Sequence, residues 1–159
     1  MPLDDQAITI AINSWKGVIA RIDEIVASSS DEQLMMEVAP GRNRVSYIIG
    51  HLAAVSDRML PLLRLGDRLH PELDAEFLEN PDTHAAGGAS YATIRSAWTE
   101  VNAKLTSSME TLTTAQWFER HASVSEEDFQ KEPLRNRYSV LLSRTNHASF
   151  HQGQLRLTK

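Results

Sequence analysis

The residues best suited to chemistry in this 159-residue chain lie near its end, in the stretch 145–159. His147 and His151 are four residues apart there, and Gln152-Gly153-Gln154-Leu155 follows directly. Residues four apart share one face of a helix, so both imidazoles could bind the same metal ion. Two ligands make a weak site. The best candidate for a third is His51, in Gly50-His51-Leu52.

Four long helices are predicted to position these histidines. Apolar residues recur at steps of three and four over about Asp4–Ala27, Arg44–Leu65 and Ser90–Thr111. We expect Pro61 to kink the last turn of the second helix. His51 falls on the buried side of that helix. Trp98, on the apolar face of the third, is expected to be core.

The fourth helix is predicted to run from Pro133 or Asn136 to near the end of the sequence. Its apolar stripe consists of Leu134, Tyr138, Leu141, Ala148 and Leu155. Beside the stripe, Arg144, His147, His151 and Gln154 repeat at steps of three, four and three. A polar line next to a core stripe is costly to bury unless its groups are satisfied. The pattern therefore indicates a site inside the helical assembly or at its mouth.

The distance of each histidine from the end of its helix shows whether the three can meet. His51 lies about 10 Å from the start of its helix and His151 about 12 Å from the end of its own, at 1.5 Å per residue. The three imidazoles therefore reach nearly the same height only if the second and fourth helices are antiparallel. The metal hypothesis thus carries a prediction about topology.

Three neutral imidazoles leave a coordination position open, as in catalytic metal centres. Zinc and nickel both suit imidazole, and the sequence leaves the choice open. Such an ion could activate water or a thiol, or polarise a carbonyl. Gln154 could bond a ligand or a neighbouring site residue, and Arg144 could meet an anion.

Less specific interpretations stay open beside this one. A pair of histidines four apart arises often by chance, and a buried histidine is usually a satisfied core residue. Arg144 could equally form a surface salt bridge. Gln154 and Asp57 could simply be solvated or bonded to backbone.

The connections carry the remaining histidines. A short helical turn is expected after Ser30, which begins a capping-box pattern. The stretch 66–89 is interpreted as a mobile crossover or lid with a short helix at 71–78. The link 113–135 is predicted to begin with an N-cap at Thr113 or Thr114, and its acidic cluster 126–128 to be solvated surface. His70, His84 and His121 are expected to be surface residues.

Composition narrows the function classes. The chain has a net charge of −5 with no basic stripe, which argues against a nucleic-acid partner. It has no apolar run near 18 residues and no signal-peptide pattern, so we expect a soluble, unexported protein without a membrane partner. Cysteine is absent, which leaves His, Asp and Glu as strong metal ligands and favours the cytoplasm. One domain spanning 1–159 is expected.

At these motifs the sequence resembles the DinB/YfiT-like superfamily of four-helix-bundle metalloenzymes. The resemblance covers nearly the whole chain and is carried by residues 46–52 and 147–155, the second being the more specific. It implies an all-α four-helix bundle of up-down-down-up topology with long connections. It also implies the metal-ligand role for His51, His147 and His151, a homodimer, and chemistry on a small molecule with a low-molecular-weight thiol.

Two hypotheses follow. The first is a metal-dependent hydrolase or thiol-dependent transferase with an open three-histidine site. The second is a non-catalytic or stress-associated helical bundle in which the cluster stabilises, senses or binds nothing. A fourth protein ligand that closed the coordination sphere would favour the second. A helical interaction module is a third class, which would need an exposed apolar patch.

Overall fold

The computed structural model describes residues 1–83 and 88–158. In this part of the chain all the regular structure is helical, apart from two isolated bridges, Glu37 to Arg44 and Arg120 to Asn136. The helices in chain order are α1 (Leu3–Ser28), α2 (Asp31–Met35), α3 (Val45–Leu62), α4 (Leu73–Phe77), α5 (Tyr91–Met109), α6 (Thr114–Trp117), α7 (Glu126–Lys131) and α8 (Arg137–Arg156). The predicted all-α class is confirmed.

Side-chain caps fix where several helices begin. Ser30 and Thr113 each form a capping box, with Gln33 and Gln116 respectively. Asn136 accepts a hydrogen bond from the Ser139 N–H at 2.9 Å and so begins α8. Each cap satisfies backbone donors that the first helical turn leaves unpaired. These starts agree with the caps predicted at Ser30 and Thr113 and with the later of the two starts predicted for α8.

The second long helix ends earlier than predicted, at Leu62 instead of Leu65. Pro61 removes one backbone donor near this end. Beyond it the chain turns back, with Arg64 at a φ of 56°. The turn allows the Leu69 and His70 N–H groups to donate to the Asp57 carboxylate. Those two bonds hold the following segment against α3, where a longer helix would carry it away.

The apolar faces of the long helices form one buried cluster. Trp15, Trp98 and Trp117 are its largest members, each 1% exposed or less. α3 is the most enclosed helix, since twelve of its eighteen residues are buried. Burying side chains of this size contributes roughly 1.5–3 kcal/mol each before conformational entropy is subtracted. The predicted core position of Trp98 is confirmed.

One detail of the sequence interpretation was wrong. Leu134 does not belong to the apolar stripe of α8: it precedes that helix and is 79% exposed. Its carbonyl instead accepts a hydrogen bond from the Ser139 hydroxyl. The acidic cluster 126–128 is exposed as predicted, but it also forms the first turn of α7, where negative charge is favourable.

Four pairs of long helices face each other. α1 packs chiefly on α8, and α3 on α5. α3 also meets α8, and α1 faces α5 across a groove. In the described residues no helix combines the length and apolar character needed to cross a membrane.

Candidate metal centre

The three predicted histidines come together where α3 meets α8. α3 presents His51, and α8 presents His147 and His151 one turn apart. All three side chains are partly buried. Their ligand atoms lie within 4.8 Å of one another, which makes them a group that could hold a metal ion.

The Nε2 atoms face a common point. His51 Nε2 lies 3.3 Å from His147 Nε2, and His151 Nε2 lies 3.2 Å from the same atom. The rings of His147 and His151 meet edge to face, with centroids 4.6 Å apart. Three imidazoles arranged in this way can offer three lone pairs to one ion.

The ring of His51 is oriented by a backbone carbonyl. Its Nδ1 donates to the Phe77 carbonyl oxygen at 3.0 Å, and because a carbonyl can only accept, the proton resides on Nδ1. With its Nδ1 proton held by this carbonyl, the ring directs Nε2 toward the other histidines, where that atom can offer its lone pair to an ion.

Gly50 allows the Phe77 ring to come this close. A Cβ added at Gly50 would lie 2.5 Å from Phe77 Cε1, closer than real side chains approach. The missing side chain therefore lets α4 pack directly on α3 beside His51.

Gln154 fixes the second imidazole. The His151 Nδ1–H donates to the Gln154 Oε1 at 2.7 Å, which directs the lone pair of His151 Nε2 into the cluster. Both residues lie on α8, three apart, so the helix itself positions this pair. The Phe150 ring meets the His151 ring edge to face, with centroids 5.2 Å apart.

Burial and neighbouring charges keep His147 and His151 uncharged. Burial, followed by the charges of His151, His51 and Arg144, lowers the pKa of His147 to about 4. The pKa of His151 is also lowered, mainly by burial, although the bond to Gln154 opposes the shift. Both rings are therefore neutral at pH 7, the form that binds metal.

An ion-pair network holds the segment that carries Phe77. Asp57, fully buried on α3, accepts from Arg68 Nε at 2.9 Å as well as from two backbone N–H groups. Arg68 also pairs with Asp74 on α4, and Arg58 donates to the same carboxylate. These guanidinium groups hold the pKa of Asp74 at about 2. The alternative of a backbone-bonded Asp57 is thus the correct one.

A family model described as the DinB superfamily matches residues 14–155. The chain belongs to the DinB superfamily. The predicted family is therefore confirmed, and the matched range contains all three clustered histidines. A comparison with curated proteins gives no significant match.

Arg144 lies one turn before His147 in this DinB superfamily chain. It is partly buried, and its charge contributes to the lowered pKa of His147. Within residues 1–83 and 88–158 it has neither an ion pair nor a hydrogen-bond partner, so the surface salt bridge considered as an alternative is not formed there. Its positive charge faces the neighbourhood of the cluster uncompensated.

The other histidines do not join the cluster in the described residues. His70 lies between two carboxylates, with Nδ1 at 3.0 Å from Glu72 and Nε2 at 3.1 Å from Glu100. His121 is partly buried in the loop after α6, and its Nδ1 accepts from the Ser123 N–H. Burial, with the charges of Arg135 and Arg64, lowers the pKa of His121. The prediction for His84 falls outside the described residues.

Two contributors to this DinB site were missing from the sequence interpretation: the Phe77 carbonyl and Gly50. A backbone carbonyl leaves no mark in a sequence. A glycine in the interior of a helix costs about 1 kcal/mol relative to alanine, however, so its occurrence beside His51 could have indicated a close approach.

Proposed function

We propose that this DinB superfamily protein is a divalent-metal-dependent enzyme in which His51, His147 and His151 hold zinc or nickel. The observation that carries the proposal is the convergence of three Nε2 atoms in a part of the molecule that keeps imidazoles neutral. A bound ion would supply Lewis-acid activation of water or of a small thiol. The reaction would then be a hydrolysis or a thiol-dependent transfer.

An open coordination position supports an enzyme over a structural site. Among the described residues, only these three His, Asp or Glu side chains group closely enough to hold an ion there. Structural zinc sites usually have four protein ligands, whereas catalytic ones leave a position for substrate or water. The non-catalytic alternative would need a further ligand.

The chain's own residues would do the positioning. Phe77 and Gln154 fix the tautomers of His51 and His151 through Nδ1, so both rings keep their Nε2 lone pairs available. Arg144 would bind an anionic group of the substrate, since it has no carboxylate partner in the described residues. Replacing Arg144 by Gln is expected to weaken binding of an anionic substrate while leaving metal content unchanged.

The arrangement of helices that this site requires is part of the proposal. We infer a four-helix bundle of α1, α3, α5 and α8 with up-down-down-up topology. Contacts between helix ends support it: Arg156 at the end of α8 lies 3.7 Å from Glu24 near the end of α1. The Ala122 N–H, in the link that leads to α8, donates to the carbonyl of Leu62 at the end of α3. α1 and α8 would then be parallel, and α3 and α8 antiparallel.

Several expectations from the sequence stay predictions beside this function. They are a single domain, a small-molecule substrate, a homodimer, a cytoplasmic location and the absence of nucleic-acid and membrane partners. Each concerns the whole molecule in its cell, and the geometry of the histidines does not bear on it.

Metal content is the test of the proposed function. Elemental mass spectrometry on untagged protein should find about one zinc or nickel ion per chain. His51→Ala and His151→Ala should lose it, while the matched control His121→Ala keeps it. Wild-type protein that holds no metal after incubation with either ion would refute the proposal. If the metal is found, the metal-loaded wild type should be screened for hydrolase and thiol-transferase activity, with the same variants as controls.

A further inference from the structure

A second site lies in the groove between α1 and α5. The groove has a volume of about 1020 Å³, at the upper limit of small-ligand sites, and its walls come from these helices together with Ser29, Asp31 and Glu110. None of its lining residues belongs to α3 or α8, which carry the three histidines. It is therefore separate from the metal centre.

Polar contacts bridge this groove along its length. Trp98 Nε1 donates to Asp23 at 2.6 Å, and Lys16 pairs with Glu110 farther along. At the other end Arg95 Nη2 donates to the Ser29 carbonyl at 2.6 Å. These bridges join α1 to α5 and the residues that follow each helix.

The floor of the groove is apolar. Ile19, Val26 and Trp98 line it, and each is at least nine-tenths buried within the protein. Apolar lining with a few polar groups at defined positions is typical of sites that bind organic molecules.

Two lining residues carry buried polar atoms without a partner. Asn102 is 4% exposed; its Nδ2 donates to the Trp98 carbonyl, but its Oδ1 accepts nothing. Arg95 Nε, on the same face of α5, donates to nothing. Buried polar atoms are nearly always paired, and leaving one unpaired costs stability. A free acceptor and a free donor in one groove indicate a ligand that supplies both partners.

The spacing and charge of these groups define the ligand. Arg95 and Asn102 are seven residues apart on α5, which is about 10.5 Å along the helix axis. Arg95, whose Nη1 already lies 3.6 Å from the exposed Asp31 carboxylate, would attract a second carboxylate. Asp23, which accepts from Trp98 one turn before Asn102, has no cationic partner among the described residues and would attract an ammonium. An extended peptide of three residues spans about 10 Å.

We propose that this groove binds a short apolar peptide with free termini. Its carboxylate contacts Arg95, its ammonium contacts Asn102 Oδ1 and Asp23, and its side chains lie along the apolar floor. The proposal does not depend on the metal centre, because no histidine takes part.

Calorimetric titration of the full-length protein with trileucine tests the proposal. Trileucine should bind, and N-acetyl-trileucine and trileucine amide should each bind at least tenfold more weakly, because each lacks one terminal charge. Asp23→Asn should lose the preference for the free amine. Equal binding of the capped and uncapped peptides, or no binding of trileucine, would overturn the proposal.

Asn102→Leu separates a binding role from a structural one. It replaces the unpaired acceptor by an apolar side chain of similar volume, so it should leave Tm unchanged or raise it while peptide affinity falls at least tenfold. Asn13→Leu, at an exposed position of α1 outside the groove, should not change affinity. An Asn102→Leu protein that binds trileucine as the wild type does would contradict the proposal. The proposal would also be contradicted if the wild type formed a dimer that bound no peptide and that Asn102→Leu dissociated. A second copy of the chain would then occupy the groove.

Discussion

Two helix junctions of this molecule treat polar groups in opposite ways. Where α3 meets α8, the Phe77 carbonyl and Gln154 satisfy the Nδ1 atoms of two histidines, and the Nε2 atoms face one point. Where α1 faces α5, Asn102 and Arg95 keep buried atoms without partners, two helical turns apart. Convergent lone pairs suit a ligand the size of an ion. Separated, unpaired groups over an apolar floor suit an extended molecule.

The sharpest test of this difference is a pair of variants, each of which should lose the ligand of one junction and keep the ligand of the other. His151→Ala should reduce metal affinity by more than the 10–100-fold that is typical when a hydrogen-bond partner of a metal ligand is removed, and leave trileucine binding unchanged. Asn102→Leu should do the reverse. Metal titration and calorimetry on both variants measure this. A variant that loses both ligands would mean that the junctions are coupled.

The close contact at Gly50 makes the metal junction sensitive to a single methyl group. Gly50→Ala should destabilise the protein by about 1–3 kcal/mol, because the new Cβ forces the Phe77 ring and α4 to move. It should also weaken metal binding, since the Phe77 carbonyl leaves His51. Urea unfolding and metal titration test both effects.

Gly153→Ala is the matched control on α8. Its Cβ would meet nothing within 4 Å, so the change should stabilise the helix by roughly 0.5–1 kcal/mol. If both glycine variants gave the same stability, the packing explanation for Gly50 would be wrong.

Gln154 tests how much orientation contributes at the metal junction. Gln154→Ala removes the acceptor on His151 Nδ1 and should lower metal affinity roughly tenfold with little change in fold. Gln154→Glu keeps an acceptor and should retain affinity. Competition with a colorimetric chelator measures both. Equal affinities for the Ala and Glu variants would show that the bond does not orient the ring.

Acid should weaken the metal junction selectively. The pKa of His147 is lowered to about 4 and that of His151 is lowered too, so the unfolded chain binds more protons than the folded one between pH 6.5 and 4. The stability of the metal-free protein should therefore fall as pH drops through this window. We expect about 1 kcal/mol for these partly buried groups, or roughly 3 °C in Tm. His147→Gln should flatten this part of the profile, and an unchanged slope would contradict the assignment.

Much of the fold could be predicted because apolar spacing determines which faces are buried. The steps of three and four gave the long helices, and Ser30 and Thr113 marked starts correctly. The end of α3 was missed because it depends on a carboxylate that folds the chain back through tertiary contacts. Leu134 was misassigned because a spacing rule cannot tell a residue just before a helix from one inside it.

The candidate site also has residues that the sequence identified and groups that it did not. The spacing within α8 identified His147 and His151, and the predicted heights identified His51. The Phe77 carbonyl was beyond the sequence, because main-chain acceptors are the same in every residue. The unpaired Oδ1 of Asn102 was also hidden: whether a polar atom lacks a partner depends on residues distant along the chain.

The position of His70 between Glu72 and Glu100 has a consequence for how the molecule responds to protons. A neutral imidazole has a single N–H, so contacts from both ring nitrogens to carboxylates require the imidazolium. Partial burial lowers the pKa of His70, but the bonds to Glu72 and Glu100 outweigh it and the net shift is upward. This fastening of the 66–72 segment to α5 is therefore complete below pH 6.5 and is released as pH rises through the raised pKa. Acid therefore tightens this fastening while it lowers the stability that His147 and His151 contribute, so these two regions respond to pH in opposite directions.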